Sequence, residues 1–207
     1  TRQRLLEAGG ALSRRRREEA VTLRQAIEKE VRALRMEHAR FLAAFRDRGQ
    51  DEASLRESGM DEMEFYLSTN VGEEPKPLRG IASGGELSRI MLALKKVLAR
   101  NGSVGTIVFD EVDSGIGGAT AEIVGRILKD VAGHHQVLCI THLPQIACYG
   151  DRHYRVAKRI WGERTNTTVA LLSAGERLEE IARMLGGVEL TERTRDHARE
   201  MLSAARR

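Results

Sequence analysis

The chain has 207 residues, 34 Lys and Arg against 30 Asp and Glu, 41% apolar and only 4% aromatic content. That is enough for one ordinary domain, or one domain with a helical extension, with a core built from aliphatic side chains. No apolar run approaches the ~18 residues of a membrane-spanning helix. Two cysteines, Cys139 and Cys148, make no disulfide framework and suit a reducing compartment. The opening TRQRLLEAGG lacks the apolar stretch of a secretory signal, has no initiator Met, and reads as the middle of a longer charged helix.

The charge is uneven. Residues 1–50 hold 13 Lys and Arg against 7 Asp and Glu, whereas 51–207 hold 21 against 23. The basic surplus centres on Arg14, Arg15, Arg16 and Arg17. Such a stripe can hold a polyanion by releasing counterions, or it can be the solvated face of a helix.

From about Ala11 to Arg35 the pattern is helical, with Ala20, Ile27 and Leu34 seven apart and Val31 four beyond Ile27. This narrow seam predicts a coiled-coil arm or a helix laid on one partner. Leu5 and Leu12 lie out of phase with it, so Gly9 and Gly10 predict a bend or helical hairpin. After His38 two readings stay open, a continued heptad through Phe41 and Phe45, or a strand over 39–47. Residues 46–59 form a polar connection. Met63, Phe65 and Leu67 alternate as a half-buried strand, and Pro75 and Pro77 predict an irregular loop over 71–80.

The next hundred residues alternate between strand and helix. ELSRIMLALKKVLAR predicts an amphipathic helix with Leu87, Ile90, Met91, Leu94 and Leu98 on its apolar face. SVGTIVFDE and HHQVLCITH read as buried parallel strands, with the helix TAEIVGRILKDVAG between them. LPQIACYG reads as a turn and short helix. RHYRVAKRIW and TNTTVALLS follow as two antiparallel edge strands joined at Gly162–Glu163. Two helices separated by Gly186–Gly187 complete the chain. The rhythm predicts an α/β fold, a mainly parallel sheet flanked by helices.

Three features carry chemistry. The strand ending Phe109-Asp110-Glu111 places two acids where open α/β sheets collect functional groups. Asp110 can hold Mg2+ through a water, and Glu111 can orient and deprotonate an attacking water. Ser83-Gly84-Gly85-Glu86 begins a helix as a capping box, and its glycines leave backbone N–H groups open to an anion. Ile140-Thr141-His142 ends the next strand, placing an imidazole on the same rim. The spacing of Cys139, His142, Cys148 and His153 also admits a zinc reading, but packing in a strand accounts better for Cys139. Trp161 is a candidate for base stacking or for packing at the hairpin rim.

Together, ASGGELSR resembles the signature motif of ABC-type ATPases, TIVFDE their Walker B strand, VDSG the D-loop and ITH the H-loop histidine. The phrases PLRGIASGGELSRIMLALKKVL, TIVFDEVDSGIGGATAEIVGRIL, QVLCITHLPQIA and ERLEEIARMLGG resemble more narrowly the RecN family of bacterial DNA-repair proteins, in the SMC-like group. No GxxxxGK[ST] P-loop occurs in the chain. The resemblance therefore implies the C-terminal lobe of a split ABC/SMC-type ATPase head (39–207), preceded by the end of a coiled-coil arm (1–38). It favours the strand over 39–47.

The same resemblance implies ATP and Mg2+ as cofactors. It makes Asp110 the Mg2+ residue, Glu111 the general base and His142 the γ-phosphate contact. Ser83, Gly84 and Gly85 would touch a nucleotide on the partner protomer's P-loop, and Asp113 would couple the two sites. Arg89 is either a dimer-face group or a helix-surface charge. The implied partners are the N-terminal P-loop lobe of the same protein, a second copy joined through ATP-sandwiched heads, and DNA, without a membrane. The implied setting is the cytoplasm and nucleoid, in recombinational repair of double-strand breaks. Two other classes fit the motifs: another SMC-like or ABC-type lobe, including a transporter's nucleotide-binding half, and a non-catalytic α/β interaction module.

Overall fold

The computed structural model describes residues 2–46, 49, 52–80, 84–98, 104–161, 164–187 and 190–206. The chain divides into two compact units, residues 1–100 and 101–207. The division falls inside the stretch read from sequence as one lobe, and the stretch read as an arm shares unit 1 with residues 39–100.

Unit 1 opens with α1 (Arg2–Ala33), a single 32-residue helix. Gly9 and Gly10 do not interrupt it. Gly9 is buried, and a Cβ there would lie 2.7 Å from Met60 Sδ and 3.3 Å from Leu55 Cδ2. The glycine serves close approach of the 55–60 segment to the helix. The predicted seam is buried at Ile27, Val31 and Leu34, where α1 packs on the strand Arg40–Arg46 and the helix Gly84–Leu98 of its own unit. Arg35, in the left-handed region at φ 64°, closes the helix, and the Met36 amide reaches back to the Val31 carbonyl (3.3 Å).

The strand reading after His38 holds. β1 (Arg40–Arg46) pairs antiparallel with β2 (Glu62–Ser68), Phe41 opposite Leu67 and both buried. Glu28 of α1 ties the sheet to the helix by accepting from the Phe41 amide (3.1 Å). The segment 71–80 is more ordered than its prolines predict. Lys76–Pro77 form a short strand, β3, on the edge of β2 opposite Tyr66 and Leu67, a position where a missing N–H is tolerated. In α2 (Gly84–Leu98) the buried face runs through Gly85, Arg89, Ile90, Leu92, Ala93 and Leu94. Met91 and Leu98, predicted to be core, are exposed.

Unit 2 opens with a strand, a helix and a second strand. β4 (Thr106–Phe109) and β5 (Gln136–Cys139) pair in parallel, with α3 (Gly118–Ala132) as the crossover. Ile107 and Phe109 point to the covered face, while Val108, Leu138 and Ile140 are exposed. These strands are therefore covered on one face within the described structure, not buried on both as their apolar runs suggest. Gly125 lets α4 (Pro144–Ala147) approach α3: a Cβ there would lie 2.4 Å from Tyr149 Cδ2 and 3.0 Å from the Gln145 carbonyl oxygen.

β6 (Tyr154–Trp161) and β7 (Arg164–Leu171) form the expected antiparallel hairpin. α5 (Ala174–Gly186) starts from a capping box of Ser173 and Glu176, which holds the Glu176 carboxyl below the usual range. It packs on α6 (Glu192–Ala204) through Ile181, Ala182 and Ala198. The fold is α/β, but the expectation of a mainly parallel sheet is corrected. Among the described strands only β4 and β5 pair in parallel, and the other pairings are antiparallel. The two residues joining β6 to β7 leave room only for a hairpin, and α3 supplies the crossover that the parallel β4–β5 pair needs.

Candidate functional site

Because β4 and β5 run in parallel and Phe109 sits opposite Cys139, their carboxyl ends emerge on one rim. Ile140 N–H extends the ladder one step, donating to the Phe109 carbonyl (3.0 Å). Asp110 and Glu111 leave the first strand there, and Thr141 and His142 leave the second. The rim thus gathers Asp110, Glu111, Asp113 and His142 from two segments about thirty residues apart in sequence.

Glu111 is exposed and has φ 57°, in the left-handed region that non-glycine residues rarely adopt. The turn is held on both sides. Asp110 Oδ1 accepts from the Glu111 amide (2.9 Å), and the Glu111 carbonyl accepts from the Ser114 amide (3.0 Å). A strained acid at a strand end is a common feature of functional sites. Asp113, three residues after Asp110, turns inward and is only 4% exposed. Its Oδ2 receives the Thr141 hydroxyl (2.6 Å) and the His142 amide (2.8 Å), and His142 Nδ1 lies 2.9 Å away. The His142 side chain itself is 74% exposed.

Behind the rim, burial pushes the Cys139 thiol up to about 12, with the negative charges of Asp113 and Asp110 adding to the effect. A thiol held protonated at neutral pH is a poor nucleophile and a poor metal ligand. No group of three His, Cys, Asp or Glu side chains able to hold a metal occurs among the described residues. The residues suit Mg2+ nonetheless, since this ion keeps several waters and takes one or two carboxylates together with phosphate oxygens. Asp110, an exposed carboxylate at a strand end, is a donor of that kind.

The remaining candidates lie in unit 1. Ser83 falls outside the described residues, so its capping role is not described. Gly84 and Gly85 form the first turn of α2, Gly84 exposed and Gly85 buried. Arg89 is 7% exposed, and its guanidinium pKa is lowered by burial and raised in part by Glu86. It is thus no helix-surface charge.

The four arginines of the stripe divide. Asp61, with its side chain 4% exposed, lies 3.5 Å from Arg16, 3.7 Å from Arg17 and accepts from Ser13 Oγ (2.8 Å). Arg17 also covers the Phe45 ring at 4.7 Å. Arg14 and Arg15 are exposed. Sequence reasoning missed Asp61 as an anchor and Thr141 as a partner of Asp113. The signal for Thr141 was its place inside ITH, but its partner lies 28 residues away. Trp161 pairs with Arg164 at the hairpin end, and its side chain lies outside the described set.

Comparison with family models gives no match. Among curated proteins, the chain is 45% identical over 195 residues to the DNA repair protein RecN of Halalkalibacterium halodurans, covering 94% of this chain and 34% of that one. It is 44% identical over 205 residues to RecN of Treponema pallidum, covering 98% of this chain and 36% of that one. The chain thus spans about a third of the length of these relatives. Among solved structures, the Smc head domain with a coiled coil and joint from Pyrococcus yayanosii superposes with a TM-score of 0.55 at 16% identity. The match covers 93% of this chain and 30% of that one, and at this identity it speaks for the fold alone.

Proposed function

Because the chain belongs to the RecN family over the third of those proteins' length that it spans, we propose that it supplies the C-terminal half of an ATP-hydrolysing head. In this reading 39–207 is the lobe and 1–38 the end of a coiled-coil arm. The lobe is completed by an N-terminal P-loop lobe of the same protein, and two heads close on ATP in the recombinational repair of double-strand breaks. The observation that carries the reading is the shared rim of β4 and β5, which sets Asp110 and Glu111 beside Thr141 and His142.

Each group then has a task suited to its place. Glu111 takes the proton of the attacking water, and its exposed carboxylate leaves room for that water. Asp110 would hold Mg2+ through water, and the ion when bound neutralises phosphate charge. His142 faces the γ-phosphate from the neighbouring strand. Ser83, Gly84 and Gly85 present the amino end of α2 to a nucleotide on the second protomer, since aligned N–H groups favour an anion there. Asp113 is read as the residue coupling the two sites, through the His142 loop that it holds.

Ser83→Arg in the complete head is expected to abolish ATP-dependent dimers while leaving nucleotide binding intact, because a long cation replaces the small group at the phosphate contact. Light scattering with and without ATP reads this, and undiminished dimers would contradict the role of the 83–85 segment.

For DNA, the exposed Arg14 and Arg15 are the stronger candidates of the stripe, since Arg16 and Arg17 already face Asp61. Replacing Arg14 and Arg15 with Gln is expected to weaken DNA binding alike for all sequences. The salt slope should fall by about 0.9 per lost phosphate contact. Unchanged affinity and slope across several salt concentrations would leave these arginines as solubilising charges. No helix among the described residues is long and apolar enough to cross a membrane.

A further inference from the structure

We propose that Arg177 is a positioning residue for His142: reaching from α5, it clasps the carboxyl end of α4 and so fixes the turn that presents the imidazole at the rim. Arg177 Nη2 donates to the Ala147 carbonyl (3.2 Å) and to the Cys148 carbonyl (2.8 Å), which lie 30 and 29 residues earlier in the chain. α4 has only four residues, Pro144–Ala147, so its last carbonyls have no following helical turn to supply donors. A guanidinium, a cation with donors only, meets that need. Nε of the same side chain is buried with no hydrogen-bond partner among the described residues. The side chain is thus turned in toward α4 rather than out to water. Ala147 also packs on the cluster of Ile181, Ala182 and Ala198 from α5 and α6.

From α4 to the histidine the link runs through main-chain bonds. Leu143 follows His142 directly, and its carbonyl accepts from the Ile146 and Ala147 amides (both 3.1 Å). Its own amide donates to Thr141 Oγ1 (3.0 Å). The Thr141 hydroxyl and the His142 amide are in turn tied to Asp113 Oδ2 (2.6 and 2.8 Å). Segment 141–148 is therefore held at both ends, by Asp113 at the rim and by Arg177 behind it. The close approach at Gly125 sets its side against α3. The His142 side chain is 74% exposed, so its place follows from that of its main chain. Arg177 bonds to α4, and it acts on the rim through the histidine turn. That His142 meets a phosphate rests on the function proposed above, whereas the hold of Arg177 on α4 does not.

Two measurements on the full-length protein, carrying both lobes, test the assignment. In Arg177→Met, hydrogen exchange read by mass spectrometry should quicken over 141–150 while α3 keeps its protection. Arg177→Lys, which retains a cationic donor, should restore most of it. Turnover should fall in Arg177→Met by up to about 10²-fold in kcat, as it does for misplaced groups, with KM for ATP little changed and recovery in Arg177→Lys. Because the arginine acts through the histidine, adding Arg177→Met to His142→Gln should lower kcat by less than about 2-fold further, since residues that act as a unit are not additive. A loss that multiplies equally in both backgrounds is what general destabilisation would give, and it overturns the positioning role. Unchanged exchange over 141–150 in Arg177→Met overturns it as well. If the Met variant fails to fold, Arg177→Gln, a donor of shorter reach, replaces it with the same expectations. If His142→Gln itself leaves turnover intact, the phosphate role of His142 falls, and the exchange result alone decides the hold of Arg177 on the turn.

Discussion

Glu111→Gln in the completed head lowers ATP turnover by about 10²–10⁴-fold, the usual contribution of a general base. The amide keeps the size and hydrogen-bonding reach of the carboxylate but cannot take a proton from water. Nucleotide binding persists, so ATP-bound dimers accumulate and are visible by light scattering. The turn that presents residue 111 is held by main-chain groups, the Glu111 amide to Asp110 Oδ1 and the Ser114 amide to the Glu111 carbonyl. The substitution therefore leaves the presentation of the side chain intact. Phosphate release at saturating ATP is the measurement, and unchanged turnover would assign the base elsewhere.

Phe41→Ala costs about 3–5 kcal/mol, the range for emptying a buried aromatic site. Phe41 is 1% exposed, lies 5.1 Å from the Phe65 ring and sits opposite Leu67, so its removal leaves a void between β1, β2 and α1. The Glu28 contact to its amide is a main-chain bond and survives the change. Denaturant unfolding followed by far-UV circular dichroism should show the midpoint of unit 1 moving down. A loss below about 1 kcal/mol would mean that this site collapses to fill the space.

Much of unit 2 is legible from its amino acids. Apolar runs bounded by acids or Thr-His mark β4 and β5, helical periodicity marks α3, and Ser173 three before Glu176 marks the start of α5. Local signals of this kind survive because they describe contacts close in sequence. Contacts made at a distance do not announce themselves. Gly9 reads as a break, yet α1 runs through it because Met60 packs where a side chain would be. The buried face of α2 includes Arg89 and excludes Met91, since packing within unit 1 and not the apolar count decides which side is covered. The exposed faces of β4 and β5 are as apolar as their covered faces, so the sequence cannot distinguish one-sided from two-sided burial. Among the site residues the rim itself was legible from DE and TH at successive strand ends. The inward turn of Asp113 onto Thr141 and His142 was not, because it joins residues 28 and 29 apart.

The most direct test of a head divided between two lobes is ATP turnover by the purified 207-residue chain, alone and after mixing with the P-loop-bearing lobe. The chain holds the acid pair and the histidine but no P-loop lysine to cradle phosphates. Alone it should show no turnover above background at any concentration, and the mixture should hydrolyse ATP in proportion to the limiting lobe. Hydrolysis by the chain alone that scales with its concentration and disappears in Glu111→Gln would contradict the account.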